Sequence, residues 1–386
     1  MTALWLIIAL LAEVSATAVV LAYLRQNRVR RLAHIPMHGV KRWPRVSVIM
    51  AARDEADRIG PALASRLADE YPDLELVLVD DRSTDATGEV AHWVAGTDRR
   101  FRLVRVDSLP PRWLGKVHAL SEGVRVATGE YLLFSDADVT VKPGTVRRAV
   151  ALCENEGVDC LGMIPEYRST SVLVDACWVV FLRAMSLALD YRKVPDPGHP
   201  KSVLGSGAFT LIRRDAYDRT PGFEHLRMES ADDMALAAMV KQAGGRCDGV
   251  VGTGCASVRM YDSPRAFLHG IEKNGSTTAG SPWASSAGVI GFALLDMMPL
   301  VALVAGPSWL RAIGFATALV AWIGNVGVLR ATCSIWAPAL LWPVGTLLFA
   351  FGMLRSTLLA VARGGVRWRG TFYTLAELEA GRRFTL

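Results

Sequence analysis

Residues 3–24 are almost continuously apolar, and three further apolar stretches, about 285–306, 309–329 and 335–362, lie near the end of the chain. Each is long enough to cross a bilayer as a helix. Between them, from Arg45 to about Gly252, short apolar runs alternate with amphipathic stretches. VSVIM (46–50), LELVLV (74–79), FRLVRV (101–106), YLLF (131–134) and VDCLGM (158–163) have the length and bounding residues of buried strands. Residues 59–70, 86–95, 116–127 and 143–155 carry helical spacing. Strand following helix in this way predicts an α/β layer with a mainly parallel sheet, whose ligands bind beyond the carboxyl ends of the strands. The stretch Ser169–Tyr191 is apolar but interrupted by Asp175, Arg183 and Asp190, which suits a core helix or a helix on a membrane surface. The prolines of 194–200 mark a loop.

Composition agrees with a two-part chain. Of 386 residues, 51% are hydrophobic and 21% charged. That is too apolar for a purely soluble enzyme and too charged for one wholly inside a bilayer. No basic residue precedes the first apolar run, while Arg25, Arg28, Arg30, Arg31, Lys41 and Arg42 follow it. A membrane span therefore fits better than a cleaved signal peptide, and the charge bias places the next domain in the cytoplasm, at the inner membrane. Glu13, costly inside a span, is expected to face another helix. The net charge of +6 sits largely beside the apolar segments, which favours a membrane surface over nucleic acid.

The expected organisation is a span (1–24), a basic linker (25–44), an α/β domain (45–283), membrane segments (284–362) and a basic tail (363–386). Three spans after a cytoplasmic domain would put the tail outside, against the charge rule. Three resolutions remain: one stretch is re-entrant or interfacial, 335–362 folds back near Pro343, or the tail does lie outside. Six cysteines (153, 160, 177, 247, 255, 333) form no CxxC pair and read as reduced thiols.

Polar clusters follow several of the predicted strands. YLLF runs into Ser135-Asp136-Ala137-Asp138. On an extended chain, side chains two apart point the same way, so Asp136 and Asp138 would repel each other without a cation between them. Mg²⁺ and Mn²⁺ accept one or two carboxylates plus substrate phosphates, which makes this a candidate metal–diphosphate site; an ordinary polar turn is the plain alternative. ARDE (52–55) and DDRSTD (80–85) follow two other strands. Asp54 and Glu55 suit either helix capping or a nucleotide contact, and Asp80 and Asp81 either capping or a base edge.

In LPPRWLGKVHAL (109–120), Lys116 opens a helix. That is unfavourable for the dipole unless the lysine faces a phosphate there; a solvated lysine is the alternative. Gly205-Ser206-Gly207 permits close approach of a sugar or acceptor, or is simply a turn. Asp232 and Asp233 begin another helical stretch, as caps or as a general base.

In this order, VSVIMAARDE, VDDRSTD, LGK, TGEYLLFSDADV, GAFTLIRRDAYDRTPGF and DDMALAAMVKQAG resemble the catalytic domain of the family-2 inverting glycosyltransferases over roughly residues 45–275. The resemblance implies a GT-A fold. It implies that Ala52, Arg53 and Glu55, together with Asp80 and Asp81, hold the nucleotide, and that Asp136 and Asp138 hold the diphosphate through Mg²⁺ or Mn²⁺. It also gives Lys116 a diphosphate contact and makes Asp233 the base, with Asp232 where a Glu is commoner.

The membrane segments resemble the lipid-glycosylating branch, which includes ceramide glucosyltransferases and hopanoid- and carotenoid-associated bacterial enzymes. The implied partners are a nucleotide-sugar donor, UDP-linked in that branch, and a lipid acceptor, with no nucleic acid. A processive polysaccharide synthase is the rival enzyme. The QxxRW motif of such synthases is absent, VRMY (258–261) and RWRG (367–370) being partial echoes. A catalytically silent scaffold or a tethered nucleotide-binding module would not need these acids together.

Overall fold

The computed structural model describes residues 2–273, 281–330 and 336–384. An eight-stranded sheet runs in the order Arg30–Arg31, Cys247–Val251, Cys160–Ile164, Thr210–Arg213, Tyr131–Phe134, Val46–Ala52, Leu74–Asp81 and Phe101–Val106. Every pairing is parallel except those of Thr210–Arg213, which runs antiparallel to both neighbours. The central strands are buried along their whole length, as expected for a sheet covered on both faces. Helices Ala56–Leu67, Thr87–Ala95, Gly115–Val126 and Thr145–Glu156 lie within a few residues of the stretches read as helical. The edge strand Arg30–Arg31 comes from the stretch read as a linker, and Arg30 pairs there with Glu156 and Asp248.

Among the described residues, four helices are long and apolar enough to cross a membrane: Thr2–Gln26, Pro282–Ala305, Ser308–Leu329 and Trp342–Arg363. The first packs through Ala9, Ala12, Ala16, Val19 and Ala22. Small side chains allow close backbone approach where no hydrophobic drive between helices exists. Glu13 does not face another helix, contrary to expectation, and is exposed. The packed stripe sets the helix's rotation, and a residue next to Ala12 is turned about 100° away from it.

Val172–Ala188 is a buried helix and not a surface one, and its Val179 and Leu182 belong to the same core cluster as Ile49 and Val77 of the sheet. It packs against the first, third and fourth apolar helices. Its Arg183 forms a buried pair with Asp296 at 2.6 Å and donates to Asn325 Oδ1 at 3.4 Å, while Thr346 donates to Asp296 at 2.5 Å. Four segments thus meet around one buried charge pair.

The helix ending at Leu329 finishes beside the end of the first one, where Gln26 Nε2 donates to Val328 O at 2.9 Å. The first helix ends at Gln26, and four residues later the chain joins the sheet edge at Arg30. Trp342–Arg363 runs antiparallel to Pro282–Ala305, with Ser286 against Thr357 at 2.8 Å and Asp296 against Thr346, and also finishes at the domain. The chain therefore leaves the domain end after Leu329 and returns to it at Arg363. A hairpin, Gly365–Trp368 with Thr371–Thr374, and a helix, Leu375–Gly381, then fold onto the α/β domain. Tail and domain share one side of the helical group.

The cysteines at 153, 160, 177, 247 and 255 are free and buried; Cys333 lies outside the described residues.

Candidate active site

The Asp136/Asp138 segment sits where strand Tyr131–Phe134 ends. The strand stops at Phe134, so the two acids lie on a turn and not on extended backbone as expected from spacing. Arg66, buried beneath that turn, determines its shape: it donates to Val139 O, to Ser135 Oγ and, at 3.4 Å, to Asp136 O. Burial lowers the Arg66 guanidinium to about 10, against the pull of Asp138 and Asp136. Burial, Asp136 and Glu55 push the Asp138 carboxyl up to about 6, with Arg58 at 3.7 Å opposing them.

Lys116 joins the two halves of the cleft. Its Nζ lies 2.8 Å from Asp136 Oδ1 and 3.7 Å from Asp232 Oδ2. Burial alone would lower its ammonium, but Asp136, Asp232 and Asp233 outweigh burial and hold it well above the ordinary lysine value. The solvated-lysine alternative does not describe it, since only 24% of the side chain is exposed. Gly207 lies close against the site's own residues: a Cβ there would come within 2.7 Å of Asp136 Oδ2 and 3.0 Å of Lys116 Nζ, so that one of them would have to shift. Its N–H donates to Asp233 Oδ2 at 2.7 Å, and Met234 N–H donates to Asp233 Oδ1 at 2.8 Å. Asp233 is thereby fixed in one orientation.

Two cavities meet at Lys116 and Asp136. The smaller holds Ser206, Gly207, Asp232 and Asp233. The larger, about 650 Å³, holds Ala52, Arg53, Glu55, Asp81, Asp138, Tyr261, His269 and Glu272 among others. Asp80 is not among its lining residues; its Oδ1 instead accepts Ser83 N–H at 3.2 Å. Asp81 is held by its neighbour Arg82 at 2.7 and 2.9 Å.

Neither Asp54 nor Glu55 caps the helix that follows. Asp54 has a positive φ of 54° and accepts from Thr84 N–H at 2.8 Å, locking the first strand's loop to the second's. Glu55 pairs with Arg369, whose other nitrogen donates to Arg53 O at 2.9 Å.

Arg369 belongs to the hairpin after the last apolar helix. Arg367, Trp368 and Tyr373 of that hairpin also line the large cavity, and the Tyr373 hydroxyl accepts Gly115 N–H at 3.4 Å. The partial echo RWRG is the only sequence signal for this wall. Met260 and Tyr261, from the other echo, line it as well. Tyr261 is stacked on Trp178 (6.0 Å, 13°), which stacks on Tyr167 (4.4 Å, 21°).

Among the described residues, no three His, Cys, Asp or Glu side chains come close enough to hold a metal by themselves. A small hard cation that completes its shell with phosphate and water does not need three. Burial first, and then the negative charge of Asp136 and Glu55, raise the Asp138 carboxyl, and a cation beside it would relieve the part that is repulsion. The residues fit Mg²⁺ or Mn²⁺ on that ground.

Comparison with known proteins agrees with this arrangement. A family model described as Glycosyl transferase family 2 matches residues 47–220. The chain is 30% identical over 224 residues to the succinoglycan biosynthesis protein ExoO of Rhizobium meliloti (strain 1021), covering 54% of this chain and 59% of that protein. It is 25% identical over 237 residues to the 4,4'-diaponeurosporenoate glycosyltransferase of Staphylococcus aureus (strain USA300), covering 61% and 62%. The match thus spans about three-fifths of these relatives' length. Among solved structures, the mannosyltransferase PcManGT from Pyrobaculum calidifontis, in complex with GDP-Man and Mn²⁺, aligns with a TM-score of 0.52 at 21% identity, over 91% of this chain and 97% of that one. That likeness is one of fold, GT-A.

Proposed function

From the match of residues 47–220 to the family 2 glycosyltransferase model, we propose that the protein transfers one sugar from a nucleotide sugar, UDP-linked by the resemblance, to a lipid hydroxyl at the cytoplasmic face of the inner membrane. The observation that carries this is Lys116, which bridges Asp136 of the donor side and Asp232 of the acid pair in one cleft. The four apolar helices and the relative named for glycosylating diaponeurosporenoate support a membrane-dissolved acceptor. With tail and domain on one side of the bundle, 336–363 is best read as entering the bilayer and returning, which leaves the basic tail in the cytoplasm.

In this reading Ala52, Arg53, Glu55 and Asp81 bind the nucleotide, and Asp80 shapes the turn beside them. Asp136 and Asp138 would hold Mg²⁺ or Mn²⁺, which when bound supplies positive charge against the diphosphate. Lys116 contributes a fixed ammonium beside the bridging oxygens, where charge develops as the bond from the anomeric carbon breaks. The acid pair serves the other bond. Asp233, held by Gly207 and Met234, takes the proton of the acceptor hydroxyl, whose oxygen attacks the anomeric carbon from the face opposite the diphosphate. The nucleoside diphosphate leaves with the electron pair and the product is inverted. Asp232 holds Lys116 in place between the two acids.

Membranes containing the protein, incubated with a panel of radiolabelled nucleotide sugars, test this directly. One labelled lipid bearing a single added sugar is the expected outcome. Label confined to long polymer would favour a processive synthase, and no label with any donor would overturn the reading.

A further inference from the structure

The large cavity has a side bordered by the final apolar helix, where it is walled by Glu272, Arg355 and Arg363, the two arginines standing on that helix. Arg355 reaches Glu272 Oε2 at 3.0 Å and Arg363 reaches Oε1 at 2.5 Å. Ser356 Oγ donates to the Glu272 carbonyl at 2.7 Å, fixing the backbone that presents the carboxylate. Two guanidinium groups therefore share one carboxylate. Arg367, further along the same wall, makes no ion pair among the described residues. The charge on this side is in cationic excess.

A basic residue at the end of a helix near a membrane is commonly explained by the helix dipole and by the charge bias of cytoplasmic segments. Arg363 satisfies that explanation. Arg355 does not, because it stands two turns before the helix ends and lies partly buried against the cavity. Paired guanidinium forks match phosphate and carboxylate geometry, and they hold such groups bidentately.

We propose that the membrane side of this cavity binds an anionic group of the acceptor, so that the acceptor is an amphiphile carrying a phosphate or carboxylate besides its attacking hydroxyl. Arg355 and Arg363 hold that group, and Glu272 is the resident counter-ion it displaces or joins. This rests on the glycosyltransferase reading above and names the acceptor's chemical class. The hydroxyl then points along the cavity toward Asp136 and the acid pair, while the acyl chains lie against the apolar helices.

The test uses the full chain in a non-ionic detergent. The probes are dihexanoyl-phosphatidylglycerol, dihexanoylglycerol and glycerol phosphate, titrated calorimetrically with UDP present. The expected result is that the phosphatidylglycerol binds about tenfold or more tighter than the neutral diacylglycerol, a preference lost in Arg355→Gln/Arg363→Gln and increased in Glu272→Gln. Equal binding of the charged and neutral lipids overturns the proposal. So does a preference that survives the double substitution, or glycerol phosphate binding as tightly as the lipid. UDP affinity, measured on the same samples, separates the two readings: unchanged affinity in the variants confines the effect to the acceptor side. A parent chain that binds neither UDP nor any other nucleotide counts against the transferase reading itself.

Discussion

Lys116 Nζ lies 2.8 Å from Asp136 Oδ1 and 3.7 Å from Asp232 Oδ2, so one ammonium neutralises carboxylates contributed by two distant parts of the chain. Removing it leaves both acids without their partner and removes the fixed positive charge from the leaving-group side. Lys116→Met is expected to lower turnover by about 10²–10³-fold, the size seen for loss of one preorganised electrostatic group. It should also lower the thermal midpoint, because the acids repel each other in a partly buried cleft. Single-turnover kinetics and thermal unfolding of the same preparation check both. Arginine should not restore the rate, since Gly207 already stands close against Lys116.

Gly207→Ala probes the same contact from the backbone side. A Cβ there meets Asp136 Oδ2 at 2.7 Å and Lys116 Nζ at 3.0 Å, so the pair must shift. A displacement of that order from productive geometry costs about 10²-fold in rate. The expected outcome is that loss in kcat with little change in thermal stability. Gly288→Ala, where nothing lies within 4 Å, is the control and should leave the rate unchanged.

The central acids were legible in the sequence because a short apolar run breaks abruptly into polar residues, and strand ends in an α/β sheet are where ligands bind. Other parts depended on contacts that no local pattern carries. Arg66 has the spacing of an ordinary helix residue, yet it sets the shape of the Asp136–Asp138 turn. Asp54 has the composition of a cap, but its left-handed backbone turns it toward Thr84. Arg183, an apparent interruption in an apolar run, is what ties Val172–Ala188 into the helical group. In the hairpin wall of Arg367, Trp368 and Arg369, Arg369 is separated from Glu55 by 314 positions in sequence, so only the folded-back tail brings them together.

Arg369 and Glu55 supply a test of that wall. Arg369 spans the mouth of the nucleotide end, pairing with Glu55 and with the Arg53 carbonyl. If the hairpin helps shape the donor site, Arg369→Ala and Glu55→Gln should each raise the donor KM, and the double variant should be less than additive. A coupling of about 0.5–3 kcal/mol is the range for residues in contact. Full additivity of the two effects on donor KM would show that the residues act on donor binding independently and not through their pairing.

A buried charge pair, Arg183 with Asp296, joins Val172–Ala188 to the apolar helices. Arg183 and Asp296 are 1% and 4% exposed, 2.6 Å apart, with Thr346 and Asn325 as further partners. Taking away one member leaves the other buried and uncompensated. Arg183→Met alone is therefore expected to destabilise by about 3–5 kcal/mol, whereas Arg183→Met with Asp296→Leu removes both charges and should recover most of the loss. Thermal unfolding in detergent measures both. The comparison has a functional arm as well: whatever fraction of the double variant folds should retain donor binding, because neither residue lines the cavity that holds Asp81, Lys116 and Asp136. If the double variant proved no more stable than the single one, the pair would be specifying how the helices register against one another, and not only balancing its own charges.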